Sequence, residues 1–259
     1  GTADEVRHLV GESYILRAYV HFLLVNLYGE PYTHCDPATS KAIPLKLNSD
    51  TEAVLTRNTV GEVYSSILSD LVEAEKYLNV DKWELGYNYR FTTLAVNALR
   101  SRVYLYMGDW AKSLEASEAV LSVNNQLVDM SSSTILPNEY NSSENILALE
   151  EVMNAQYVRA AKVATSLWKL YGTGDLRKSK YFKQVTASNI QVIKGGSNQY
   201  RCSFRVGDIY LNAAEAALMK GEAAIDVARE NLLTLMEKRY TANAYATKEA
   251  AVNAMGRDE

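Results

Sequence analysis

Residues Arg90–Asn124, RFTTLAVNALRSRVYLYMGDWAKSLEASEAVLSVN, decide how the rest of the chain is read. Ala95, Ala98, Leu99, Val103 and Tyr106 recur at helical spacing, and Trp110, Leu114, Ser117 and Leu121 repeat in steps of four, three and four. The two runs meet at Met107-Gly108-Asp109. Gly108 is placed to end the first helix in the left-handed conformation and Asp109 to cap the second, so the short connection predicts an antiparallel helical hairpin.

Tyr104, Gly108, the Asp-Trp start and the small residues behind it follow a tetratricopeptide-like pattern. One such hairpin cannot bury its apolar face alone, which predicts others stacked on it. Thr2 with Glu5, and Thr59 with Glu62, have capping-box spacing. Leu9, Leu16, Val20, Leu23 and Leu27 form a stripe that predicts a helix over roughly 5–28, and Val60, Val63, Ile67, Leu71, Ala74 and Leu78 predict another over roughly 60–78. A long loop at 30–57 separates them. The central hairpin is expected over roughly 92–107 and 110–123, and a third over roughly 205–220 and 222–239, broken at Gly221. The expected fold is all-α: a tetratricopeptide-like α-α superhelix of about three helical hairpins in a single domain, 1–259, with a loop-rich portion at 125–203 and minor β. Short strands are expected at Ile43–Leu47, Ile146–Val152 and Ile190–Lys194, with a weak helix inside Tyr157–Gly174.

Composition narrows function. Of 259 residues 47% are hydrophobic, and 27 basic against 31 acidic side chains fall in no Lys/Arg block, which disfavours nucleic acid and a polybasic membrane patch. Cys35 and Cys202 have neither CxxC nor metal spacing, and two separate thiols are the simpler reading. His8, His21 and His34 make no HExxH or paired arrangement, so no metal or cofactor is expected. Glu150 and Glu151 alternate across an expected strand, and Asp70 with Glu73 lies on a solvated helix face; neither pair brackets a glycosidic bond. Catalysis is not expected. Both ends read as cut, within a processed or truncated chain.

Five segments in order, ESYILRAYVHFLLVNLYGEPY (Glu12–Tyr32), TRNTVGEVYSSILSDLVEAEKYL (Thr56–Leu78), RFTTLAVNALRSRVYLYMGD (Arg90–Asp109), GDLRKSKYF (Gly174–Phe182) and FRVGDIYLNAAEAALMKG (Phe204–Gly221), carry a resemblance to the SusD-like (RagB/SusD) family. The resemblance implies a glycan-binding lipoprotein on the outside of a Gram-negative outer membrane. It also implies a SusC-like TonB-dependent transporter as partner, to which oligosaccharide is handed, and a lipid anchor outside this stretch as the one membrane attachment. Within the Gly174–Phe182 segment, Asp175 and Arg177 are expected to pair and hold the loop.

Sugar binding without catalysis needs flat aromatic faces to stack on pyranose C–H groups and polar groups to satisfy hydroxyls. Tyrosines in the repeat helices and Trp110 at the repeat turn are expected to be structural. Outside the repeats, aromatics gather at Trp83, Tyr87 and Tyr89 and again at Trp168, Tyr171, Tyr181 and Phe182. The candidate stacking residues are therefore Trp168, Tyr171, Tyr181 and Trp83, with Asn154, Gln156 and Arg159 as hydrogen-bonding candidates. The competing expectation is a tetratricopeptide-like protein–protein interaction module that binds no sugar.

Overall fold

A computed structural model describes residues 1–149, 162–187, 189–194 and 201–258. Thr2 and Glu5 close their capping box, with Glu5 N donating to Thr2 Oγ1 at 3.2 Å, and open α1 (Ala3–Tyr28). Thr59 and Glu62 do the same for α2 (Val60–Tyr77). Gly108 ends α3 (Thr93–Met107) at φ 74°, ψ 14°, the left-handed stop its position predicts, and Asp109 Oδ1 accepts from Lys112 N at 3.3 Å to start α4 (Trp110–Val123).

Small residues let α3 and α4 approach closely. The Ser101 and Ser117 hydroxyls lie 2.7 Å apart, Ser113 Oγ donates to Ser101 O at 2.9 Å, and Asn212 Nδ2 reaches Ser101 Oγ at 3.0 Å. Every buried hydroxyl in this seam thus has a partner, as burial requires.

The loop-rich portion contains β1 (Asn145–Leu149), α5 (Thr165–Leu170), α6 (Leu176–Tyr181), β2 (Phe182–Thr186), β3 (Asn189–Val192) and β4 (Arg201–Arg205). β1 pairs antiparallel with β4, placing Leu147 opposite Phe204, and β2 pairs antiparallel with β3, placing Phe182 opposite Val192. The chain then returns to helix: α7 (Val206–Lys220), a turn of 3-10 helix at Glu222–Ala224, α8 (Ile225–Glu237) and α9 (Ala242–Ala254). α7 packs on α4 and on α8, so the third hairpin stacks directly on the central one while the intervening segment is looped out. This is the helical tetratricopeptide-like stack the periodicity predicts.

The apolar stripe that marks α1 in the sequence faces outward: Leu9, Leu16, Val20, Leu23 and Leu27 are 52%, 47%, 42%, 43% and 72% exposed. Ile15, Ala18, Phe22 and Val25 face α2 instead, and Gly11 lets α1 meet its end, since a Cβ there would lie 2.8 Å from Leu78 N. The helix is apolar on two opposite faces, and the face bearing small residues packs closer. The expected strand at Ile43–Leu47 needs correction: no strand forms there, and the pairing nearby is a single bridge between Lys41 and Thr59, with Ala42 N donating to Asn58 O at 2.8 Å. Of the other strands, Ile146–Leu149 and Ile190–Val192 are found, and Glu150–Val152 lies outside the described residues.

Candidate functional site

The looped-out portion is held from below by the end of the third hairpin. Leu176 N donates to Arg239 O and Thr241 N to Gly174 O, both at 2.9 Å, so residues 174–176 pair with the α8–α9 connection. Gly174 is at φ 81°, and a Cβ there would come within 2.4 Å of Ala244 Cβ; only glycine fits both the turn and the approach. Asp175 caps α6 and is gripped by Arg177, Nε to Oδ1 at 2.9 Å and Nη2 to Oδ2 at 2.7 Å, which is the loop-fixing pair expected of this segment.

On that base Trp168, Tyr171 and Tyr181 gather around Phe182. Ring centroids lie 6.0, 5.0 and 6.5 Å from it, with edge-to-face angles of 89°, 61° and 86°. Trp168 and Tyr171 are half-buried, while Tyr181 is buried beneath them. Cations flank the rings: Lys178 Nζ is 4.6 Å from the Trp168 centroid, Arg177 is 5.4 Å from Tyr171 and 5.5 Å from Tyr240, and Lys194 Nζ is 4.8 Å from Tyr181. Burial works against the charge on Arg177, but the Asp175 hydrogen bonds and charge outweigh it and hold its pKa above the ordinary arginine value. Burial raises Tyr181 and Tyr240, keeping both phenols neutral. The β2–β3 hairpin braces the cluster, with Ile193 N donating to Tyr181 O at 2.8 Å and Val163 N to Ile190 O at 3.0 Å.

Trp83 stands apart from this cluster. Its indole Nε1 donates to Phe91 O at 3.1 Å, Arg90 lies 4.2 Å over its ring, and His8 meets it edge-on at 5.2 Å. Those contacts tie the connector to the starts of α1 and α3. Asn154, Gln156 and Arg159, and likewise Glu150 and Glu151, lie outside the described residues. The sequence did not point to Lys178 or Tyr240. Tyr240 comes from a different hairpin and nothing local marks it, whereas Lys178, one turn before Tyr181 in α6, could have been found from helical spacing.

Other chemistries are accounted for by ordinary partners. Asp70 is bound by Arg17 at 2.8 and 2.5 Å, Glu73 by Lys76 at 2.6 Å, and His8 by Asn79 and the Phe91 carbonyl. Cys35 is a free, half-buried thiol, and the Cys202 side chain is outside the described residues. Among the described residues no group of His, Cys, Asp or Glu is arranged to hold a metal, and no helix is long and apolar enough to cross a membrane. A groove of about 480 Å³ between α7, α8 and the end of α9 is lined by Leu211, Leu218, Ile225, Leu232, Val252 and Met255, which offer no aromatic face to a sugar.

The fold and this site define a class: a tetratricopeptide-like helical scaffold carrying a braced, loop-borne aromatic cluster. A SusD-like family described as "Starch-binding associating with outer membrane" matches residues 1–105. A SusD-like protein of Formosa agariphila is 29% identical over 115 residues, 44% of this chain and 20% of that protein. In the crystal structure of a SusD superfamily protein from Bacteroides thetaiotaomicron, the fold recurs at TM-score 0.79 with 24% identity, over 94% of this chain and 61% of that one. A SusD-like carbohydrate binding protein from Bacteroides vulgatus gives TM-score 0.74 with 20% identity, over 97% and 60%. The chain thus spans a fifth of the curated relative and about three fifths of these solved structures. By sequence the chain is thus similar to SusD-like proteins over its first 105 residues, and in fold it is similar to SusD superfamily structures over nearly its whole length.

Proposed function

We propose that this protein captures oligosaccharide at the cell surface without cleaving it and passes it to a SusC-like TonB-dependent outer-membrane transporter. The observation that carries this reading is the partly open Trp168–Tyr171 pair, wedged at fixed angles by Phe182 and flanked by Lys178 and Arg177. Aromatic faces stack on the C–H side of a pyranose and the cations donate to its hydroxyls, which supports binding at this site. Affinity in a shallow, wet site of this kind is expected to be micromolar or weaker. The outer-membrane setting and a lipid anchor follow from the family resemblance.

Retardation of the protein in native gels cast with amylopectin, β-glucan or mannan tests the reading, with unchanged reducing-end content as the check on hydrolysis. Free migration in all three gels would sink it. The competing reading, a protein-interaction module, is favoured by the exposed leucines of α1, and on the present reading that face serves contact with the transporter.

A further inference from the structure

The connector between α2 and α3 holds a second aromatic pair, Tyr87 and Tyr89, that the site above does not use. Two successive turns set it: Tyr87 N donates to Glu84 O at 3.0 Å and Arg90 N to Tyr87 O at 2.9 Å, with Gly86 supplying φ 103° in the first. Alternate residues then face opposite ways. Asn88 and Arg90 point into the scaffold. Asn88 Nδ2 donates to Tyr140 O at 2.5 Å and Asn88 O accepts from Ala148 N at 2.9 Å, so β1 fixes the turn from one side. Arg90 binds both Glu12 carboxylate oxygens, at 3.2 and 2.7 Å, and stacks on Trp83, so α1 fixes it from the other. Tyr87 and Tyr89 point out, 49% and 39% exposed, with centroids 6.4 Å apart and planes tilted by 35°.

An exposed aromatic pair on a doubly anchored turn has little ordering left to lose on binding, and tyrosine offers a rigid face with a polar rim. We propose that Tyr87 and Tyr89 form a second sugar-stacking surface, separate from the Trp168 cluster, for a pyranose of the same oligosaccharide class. Trp83, read from the sequence as a stacking residue, then acts as the support of this surface rather than its face.

The proposal rests on the glycan-binding reading, and one titration series separates the two. Maltoheptaose, cellohexaose, laminarihexaose and mannohexaose are titrated into the natural protein, into Tyr87→Ala/Tyr89→Ala, and into Tyr87→Leu/Tyr89→Leu, which keeps apolar bulk but no flat ring. Both double variants are expected to weaken binding about tenfold, the scale of one lost stacking contact, with unchanged thermal midpoints. Affinity equal to that of the natural protein in either folded double variant overturns the second surface and leaves the Trp168 site standing. Failure of the natural protein to bind any of the four overturns the glycan reading and this surface with it.

Discussion

Arg239 Nη2 lies 2.5 Å from Glu144 Oε1, and both side chains are withdrawn from water. Glu144 Oε1 also accepts from Val128 N at 2.9 Å and Arg239 Nη1 donates to Val128 O at 2.7 Å, so one buried pair joins the end of α8, the start of β1 and the loop after α4. Arg239→Met leaves a buried carboxylate without its counter-charge and is expected to cost about 3–5 kcal/mol, read as a lower midpoint in urea unfolding. Adding Glu144→Gln to that variant is expected to restore part of the loss, because no charge then remains stranded.

Gly207 at the first turn of α7 leaves room for the same pair. A Cβ there would sit 2.8 Å from Glu144 Oε2 and 3.3 Å from Arg239 Nη2. Gly207→Ala is expected to destabilise by about 1–3 kcal/mol despite its better helix propensity. A gain in thermal midpoint would show that the pair moves aside freely.

The two faces of α1 should respond differently to truncation. Ile15 is fully buried, and Ile15→Ala is expected to cost about 2–5 kcal/mol. Neighbouring Leu16 is 47% exposed. Leu16→Ala is expected to stay within about 0.5 kcal/mol in the same denaturation experiment.

His21 gives the fold a pH dependence of known sign. It is buried with Nδ1 lacking a hydrogen-bond partner, and burial, aided by Arg17 and opposed by Asp70, lowers its pKa below 6.5. Between the folded and unfolded pKa values the unfolded chain binds the proton, so this contribution is full above about pH 6.5 and is lost as pH falls through the folded value. His21→Leu is expected to flatten the stability profile between neutral and mildly acidic pH.

Much of this architecture is legible in the chain because its signals are local. Thr2–Glu5, Thr59–Glu62 and Gly108-Asp109 each specify a helix end within a few residues, and α2 shows one apolar face only. α1 is ambiguous because Leu9, Leu16 and Leu23 repeat every seven residues as Ile15 and Phe22 do, and periodicity does not say which face a neighbour covers. The candidate site is legible in its aromatics but not in its frame. Asp175–Arg177 is a two-residue relationship and can be read; Glu144–Arg239 and Arg177–Tyr240 join residues far apart in sequence, and only the return of the third hairpin brings them together.

The measurement that bears most directly on the account is calorimetric titration of the natural protein and Trp168→Ala with the four oligosaccharides named above. The account predicts heat of binding with at least one of them and about tenfold or greater weakening in Trp168→Ala, with the fold intact by circular dichroism. Equal affinity in the two proteins would contradict it, and so would a natural protein that binds none.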